Sequence, residues 1–135
     1  MPIDLEILGP EKLLLSRPVD MVVIPSAEGD MGVLPNHAPM IVLLRGGTIR
    51  LYQGETVTDR LFVSGGFAEV TTQRVTVLAD EVIPVADLSV AEGERRVAAA
   101  QAEYEAAGKP GVPAEDALLD RILSAGAMLE AAKAN

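Results

Sequence analysis

The sequence predicts an α+β protein, mainly β, in which an N-terminal antiparallel β-sandwich precedes a C-terminal antiparallel α-helical hairpin. Residues 1–86 are rich in β-branched residues, and glycine or proline recurs about every 8 to 12 residues, as in sandwiches of short strands. From residue 87 onward the composition changes to Ala, Glu, Gln and Arg, which favour helix. We therefore expect a sandwich domain over residues 1–86 and a hairpin domain over residues 87–135.

Alternation of apolar and polar side chains supports the strand prediction. Ile49 and Leu51, for example, fall on one face of a predicted strand, with polar neighbours on the other. Short segments of glycine or polar residues separate the strands. Two of them are predicted hairpin turns (45–48 and 71–74), and a third turns one strand into the next (64–66).

The helical part begins after Pro84, which helps to end the last strand region. Ser89 and Glu92 have the spacing of a capping box at a helix start. The segment 107–113 combines glycines and prolines, so it predicts the bend between two helices. Pro113 then lies near the start of the second helix, followed by acids that the helix dipole favours.

Both predicted helices carry a seam of small and apolar residues at alternating spacings of three and four, which indicates that they pack together. Many of these residues are Ala or Gly, so each buries little apolar area and the hairpin should be the more detachable part of the protein. The seam residues are Val90, Gly93, Val97, Ala100, Tyr104 and Ala107 in the first helix, and Leu118, Ile122, Ala125, Leu129 and Ala132 in the second.

Composition excludes several classes of function. Aromatic residues make up 3% of the chain and its formal net charge is -9, both unfavourable for binding nucleic acid. The chain has no cysteine and one histidine, so we expect neither a disulfide nor a zinc site, and no cofactor. No apolar run approaches the roughly 20 residues of a membrane span, and no leader peptide is recognisable, so we expect membrane association only through another subunit.

Residues 28–40 form the most informative stretch and read Glu-Gly-Asp-Met-Gly-Val-Leu-Pro-Asn-His-Ala-Pro-Met. An enzymatic interpretation would make His37 a general base oriented by Asp30 or Glu28, with Ser64 as a distant nucleophile. No nucleophile elbow, P-loop or metal pattern accompanies these residues, so we expect no catalysis. The simpler interpretation is an exposed turn region in which polar residues are common.

Together with residues 63–70 and 75–80, in that order and spacing, this stretch resembles the epsilon subunit of rotary F-type ATP synthases, and the resemblance covers nearly the whole chain. It implies a non-catalytic central-stalk subunit that links the gamma shaft to the c-ring and couples proton flow to ATP synthesis. It also implies a peripheral location on the cytoplasmic face of the bacterial inner membrane. An alternative role is inhibition of ATP hydrolysis through the C-terminal helices, with contact to the alpha and beta subunits. A free-standing binding module remains a third possibility.

The resemblance also suggests which residues bind partners. In the family, the matching region lies against the polar loops of the c-ring and the foot of the gamma shaft, and acids suit basic ring loops. Carried over to this chain, the partner-binding residues are Glu28, Gly29, Asp30, Met31, Gly32, His37, Ala38, Pro39 and Met40.

A second family site, the nucleotide motif at the start of the first helix, is altered here. The family pattern is Ile or Leu, then Asp, two variable residues, Arg and Ala. Aligned at Leu88, this chain has Ser89 in place of the acid and Glu92 in place of the arginine, so we expect no nucleotide site. Residues 87–135 carry a net charge of -4, a poor match for the acidic segment of the beta subunits that inhibitory relatives contact.

Overall fold

The computed structural model describes residues 2–108 and 111–134, in which ten strands are followed by a 3-10 turn and two helices. The strands are β1 (Ile3–Leu8), β2 (Leu13–Val19), β3 (Met21–Ser26), β4 (Gly29–Val33), β5 (Met40–Leu44), β6 (Gly47–Gln53), β7 (Thr56–Val63), β8 (Gly66–Val70), β9 (Arg74–Ala79) and β10 (Val82–Pro84). The 3-10 turn spans Val85–Asp87, and the helices are α1 (Val90–Ala107) and α2 (Val112–Lys133). The predicted class, a mainly β N-terminal part followed by two helices, is confirmed.

The strands form two layers that meet at β3. One layer has the order β10-β7-β6-β3-β4 and the other β5-β8-β9-β1-β2, and Ser26 of β3 pairs with Leu44 of β5 where they join. Every pairing is antiparallel except that of β1 with β9, which is parallel over residues 4–8 and 74–78. The predicted sandwich is therefore present and differs from the prediction only at this parallel pair, because alternation within a strand carries no information about its neighbour's direction.

The glycines and polar residues between strands correctly predicted where the chain turns, but not always which strands pair. The segment 71–74 is the predicted hairpin, since β8 pairs with β9. The prediction of a hairpin at 45–48 is wrong, because β5 pairs with β8 whereas β6 pairs with β7. Both 45–46 and 64–65 instead carry the chain from one layer to the other.

The space between the layers is filled by aliphatic side chains, and no polar or charged residue is buried among those described. At the edge where β2 approaches β6 and β7, Arg17 forms an ion pair with Asp59, and Gln53 Nε2 donates to the carbonyl oxygen of Pro18 at 3.2 Å. The aliphatic core between the two layers resists deformation because its side chains are close-packed. Its buried members are Ile3, Leu5, Ile7, Val19, Val22, Ile24, Val33, Val42, Leu44, Ile49, Leu51, Val63, Ala68, Val70, Val75, Val77 and Ala79.

The helical hairpin lies folded against the sandwich. Met128 of α2, only 1% exposed, packs with Phe62 of β7 and Val85 of the 3-10 turn in a second, smaller apolar cluster. Beside it, Ser124 Oγ donates to the carbonyl oxygen of Ser64 at 3.0 Å. A Cβ added to Gly46 would lie 2.5 Å from Ser124 Cα, so glycine is what permits this close approach.

Within the hairpin, the predicted seam is largely confirmed. Gly93 of α1 faces Leu129 of α2, and a Cβ at Gly93 would lie 2.9 Å from Leu129 Cα. Tyr104 Oη donates to Glu115 Oε1 at 3.0 Å, which joins the helices near the bend. The predicted seam omits Met128, and in the structure this residue faces the sandwich rather than α1. The predicted bend residues Lys109 and Pro110 lie outside the described residues.

The sandwich alone should fold cooperatively. The main core contains no buried residue beyond Ala79, so a chain ending at residue 86 keeps it intact and loses only the contacts made by the hairpin: Met128 on Phe62, Ser124 on the Ser64 carbonyl and Arg96 on Glu81. We expect one sigmoidal thermal transition for the fragment, at a lower temperature than for the whole chain. A melt without cooperativity would contradict the division into domains 1–86 and 87–135.

Two helix glycines offer a matched test of hairpin packing. A Cβ at Gly126 would meet nothing within 4 Å, whereas one at Gly93 would press on the α2 backbone. Gly126→Ala should therefore raise stability by about 1 kcal/mol through helix propensity alone. Gly93→Ala has the same propensity gain but should lower stability by about 1–3 kcal/mol, the usual cost of overpacking. Urea unfolding followed by helical circular dichroism measures both; equal effects would show that the helices do not pack at Gly93.

Candidate partner-binding site

Residues 28–40 are not one loop, as the sequence suggested, but a turn, a strand and a second loop. Glu28 lies in the turn between β3 and β4, residues 29–33 form β4, and Met40 begins β5. A single loop was the wrong prediction because Gly29 and Gly32 are typical of turns, whereas in the structure both lie in β4, which pairs with β3 along its whole length. At about 3.4 Å per residue, the two ends of β4 are separated by roughly 14 Å.

Glu28 and Asp30, the two acids at the N-terminal end of β4, differ in their exposure and ion pairing. Asp30 lies 3.3 Å from Arg45 Nη2 and 3.8 Å from Arg50 Nη2, so its charge is already compensated within the chain. Glu28 is exposed, and its backbone N–H donates to Ser26 Oγ at 3.2 Å. The two acids therefore differ: Asp30 is paired within the chain, whereas the Glu28 side chain lies exposed in the turn.

At the other end of β4, residues 34–39 form a loop held against the β8–β9 hairpin. Asn36 has a positive φ of 67°, and its N–H donates to the carbonyl oxygen of Thr72 at 2.8 Å. The His37 ring is half-buried, and its Nδ1 lies 2.8 Å from the carbonyl oxygen of Ala38, a local hydrogen bond. Ala38, Pro39 and Met40 are exposed.

The structure does not bring His37, its predicted orienting acids and Ser64 together, as a catalytic interpretation would require. His37 contacts its own neighbour rather than Glu28 or Asp30, and Ser64 lies in the connection between β7 and β8, next to α2. No base, orienting acid and nucleophile are thus assembled. Among residues 2–108 and 111–134, no group of three or more His, Cys, Asp or Glu side chains could hold a metal ion.

At the start of α1, the altered motif serves the helix itself. Ser89 is the N-cap, and its Oγ accepts from the Glu92 N–H at 2.9 Å, as the capping box predicted. The Glu92 carboxylate turns away to bind Arg95 at 2.5 and 2.9 Å and Arg96 at 3.0 Å. These hydrogen bonds to the two arginines lower the pKa of Glu92 to about 2. Glu92 therefore stays charged, and its interactions are kept as pH falls until the pH approaches that value.

Arg96 also ties α1 to the sandwich, a contact without any signal in the sequence. Its guanidinium binds Glu81, in the turn between β9 and β10, with N–O distances of 2.6 and 2.9 Å. This bidentate hydrogen bonding, above all, raises the pKa of Arg96. With Met128 and Ser124, this pair holds the hairpin at one end of the sandwich, and a cleft of about 930 Å³ remains between the two.

Among the described residues, no helix is both long enough and apolar enough to cross a membrane.

Comparison with known proteins identifies relatives along the chain. Residues 2–85 match the family model described as "ATP synthase, Delta/Epsilon chain, beta-sandwich domain". The chain is 62% identical over 129 residues to an ATP synthase epsilon chain of Granulibacter bethesdensis, covering 96% of each chain. It is 50% identical over 132 residues to that of Gluconacetobacter diazotrophicus, covering 98% of this chain and 94% of the relative.

Solved structures agree. A chain in the Euglena gracilis mitochondrial ATP synthase (OSCP/F1/c-ring in rotational state 1) aligns with a TM-score of 0.76 and 26% identity, over 98% of this chain and 81% of the other. A chain in the central stalk and c-ring of the Tetrahymena thermophila mitochondrial ATP synthase shares the fold, with a TM-score of 0.54 and 11% identity over 64% of this chain and 69% of the other. The chain belongs to the family of epsilon chains of the F-type ATP synthase, which are non-catalytic subunits of that complex.

Proposed function

We propose that the chain is a rotor subunit that joins the gamma shaft to the c-ring, so that proton-driven rotation of the ring turns the shaft and powers ATP synthesis. The observation that carries this proposal is the match to bacterial epsilon chains along nearly the whole chain. The Euglena gracilis relative belongs to an assembly that includes a c-ring. Torque transmission needs a stiff connector, and a close-packed aliphatic sandwich, in which no polar side chain is buried among the described residues, meets that need. The subunit would then be peripheral, on the cytoplasmic face of the inner membrane.

The turn at Glu28 is the proposed contact with the ring. It is exposed at the end of a rigid β3–β4 hairpin, and its neighbour Asp30 is neutralised by Arg45 and Arg50. A single uncompensated carboxylate at the tip of a rigid element suits a basic loop, where complementary charge fixes register. Gly29, Met31 and Gly32 belong to the same hairpin and supply its backbone.

The loop at His37 is proposed as a second contact, at the other end of β4. Ala38, Pro39 and Met40 present a small exposed surface beside the histidine, and the Asn36–Thr72 hydrogen bond holds it in place. With about 14 Å between the two ends of β4, one subunit can reach two partners. The two ends therefore need separate variants.

The regulatory alternative receives no support from the position of the hairpin's basic residues. Arg95 and Arg96 bind Glu92, Arg96 also binds Glu81, and Arg121 binds Glu103 at 2.6 Å. Before these side chains could contact an acidic target, those pairs would have to be exchanged. These pairs favour the coupling role of the chain over the inhibitory alternative.

Reversing the charge at the Glu28 turn should uncouple the enzyme. Glu28→Lys should leave the melting curve of the isolated chain unchanged within about 0.5 kcal/mol, since the side chain is an exposed turn charge. It should reduce ATP-driven proton pumping by the reconstituted synthase strongly, because a like charge at an interface costs several kcal/mol.

Glu55→Lys is the matched control, because Glu55 is also an exposed turn acid but lies between β6 and β7, at the other end of the sandwich. It should pump normally. Asp30→Lys is a poorer probe, since it would face Arg45 and Arg50 and disturb the fold itself. Normal pumping by Glu28→Lys, with loss in His37→Ala, would assign the ring contact to the other loop.

Nucleotide binding should be absent. Glu92 stands where the family motif has an arginine, and its carboxylate is already bound to Arg95 and Arg96. Each charge-assisted hydrogen bond to a triphosphate that is missing here would typically contribute about 1.5–3 kcal/mol to the binding free energy. Titration with millimolar ATP should give neither saturable heat nor a shift in melting temperature. A micromolar dissociation constant would contradict the assignment.

A further inference from the structure

Two arginines lie side by side on the outer face of the layer β10-β7-β6-β3-β4. Arg50 of β6 is directly opposite Arg60 of β7 in the strand register, and Ile49 and Leu51, on either side of Arg50, are buried in the core. Both arginines therefore point away from the core, with their Cβ atoms about 5 Å apart. Like charges at directly opposite positions destabilise a pair of strands.

Only part of this positive charge is compensated within the chain. Arg50 shares the Asp30 carboxylate with Arg45, at distances of 3.8 and 3.3 Å. Arg60 is exposed and forms no ion pair within residues 2–108 and 111–134. Three arginines with one carboxylate make this part of the face positive, although the whole chain carries a formal charge of -9. The same-face neighbours of the arginine pair on its own two strands are uncharged: Thr48, Tyr52 and Phe62.

The partner that fits the Arg50–Arg60 pair carries an acidic group. A planar guanidinium binds a carboxylate or a phosphate through two parallel hydrogen bonds, and two adjacent guanidinium groups can bind one acid together. Free anions and second copies of this chain are both repelled by its net negative charge. The better occupant is therefore an acid fixed on the surface of a different protein that already lies close by.

The Glu28 turn lies next to the arginine pair. Asp30, two residues after Glu28 in the same β3–β4 hairpin, is the carboxylate that contacts Arg50. Glu28 thus presents a negative charge and Arg60 a positive one on neighbouring parts of a rigid layer. Two fixed charges of opposite sign are matched by a partner in one register only, because the reversed register would place like charges together.

We propose that Arg50 and Arg60 bind an acidic group of the c-ring, beside the basic loop that contacts Glu28. This inference rests on the proposed function, which brings the Glu28 turn to the ring. It makes the ring contact one of two signs, in which Glu28 supplies the negative charge and Arg60 the positive charge that the chain itself leaves uncompensated.

Reversing the charge of Arg60 separates this role from a structural one. Arg60→Glu places a carboxylate opposite Arg50 and removes the repulsion between the strands, so the melting temperature of the isolated chain should stay the same or rise. ATP-driven proton pumping by the reconstituted synthase should nevertheless fall about tenfold or more, because like charges then meet at the ring.

Lys12→Glu is the matched control, because Lys12 is an exposed cation in the connection between β1 and β2, in the other layer. It should pump as the wild type does. Each variant is reconstituted both in neutral phosphatidylcholine vesicles and in vesicles that contain anionic phospholipid, and the loss in Arg60→Glu should be the same in both.

Three results would overturn the inference in distinguishable ways. Normal pumping by Arg60→Glu, with loss in Glu28→Lys, would refute the acidic contact while the rotor role stands. Loss in Arg60→Glu only in the anionic vesicles would assign the acid to a lipid headgroup rather than to the ring. If the wild-type chain does not restore pumping to synthase depleted of it, the proposed function fails together with this inference.

Discussion

Burial of β3 on both of its faces is the constraint on which the rest of the structure depends. Val22 and Ile24 belong to the core between the layers, while Val23 and Pro25 are buried on the opposite face. Its two edges are occupied as well, because β3 pairs with β4 along one edge and with β6 and β5 along the other. The two layers are thereby joined at one strand, and the turn at Glu28 is anchored to the most buried part of the sandwich.

The hairpin depends on the sandwich in a different way. Between its helices the contacts are mostly Gly and Ala, which bury little area. Its position is therefore decided by a few contacts with the sandwich: Met128 on Phe62, Ser124 on the Ser64 carbonyl, and Arg96 on Glu81. The Arg96–Glu81 pair is only about one-third exposed and is bidentate, so it orients α1 better than a fully solvated pair would.

The candidate site was only partly predictable. Glu28 and His37 were recognised from composition and from the resemblance, but the sequence placed them in one loop. Pairing of β4 with β3 puts them at opposite ends of a strand, and Arg45, fifteen residues after Asp30, neutralises that acid. The sequence did not predict that Leu43 is exposed on the outer face of its sheet, because Leu43 follows Val42 in a continuous apolar run, a pattern that is typical of a buried strand.

The sequence by itself determined the strand and helix regions, the Ser89 cap, the small-residue seam and the family, because each rests on spacing within a short segment. Only the tertiary structure decided that β1 runs parallel to β9, that 45–46 crosses between layers, and that Met128 rather than Leu129 faces Phe62. The reason is physical. Local periodicity specifies which face of an element is apolar, whereas the partner that covers this face is chosen by packing among residues distant in the chain.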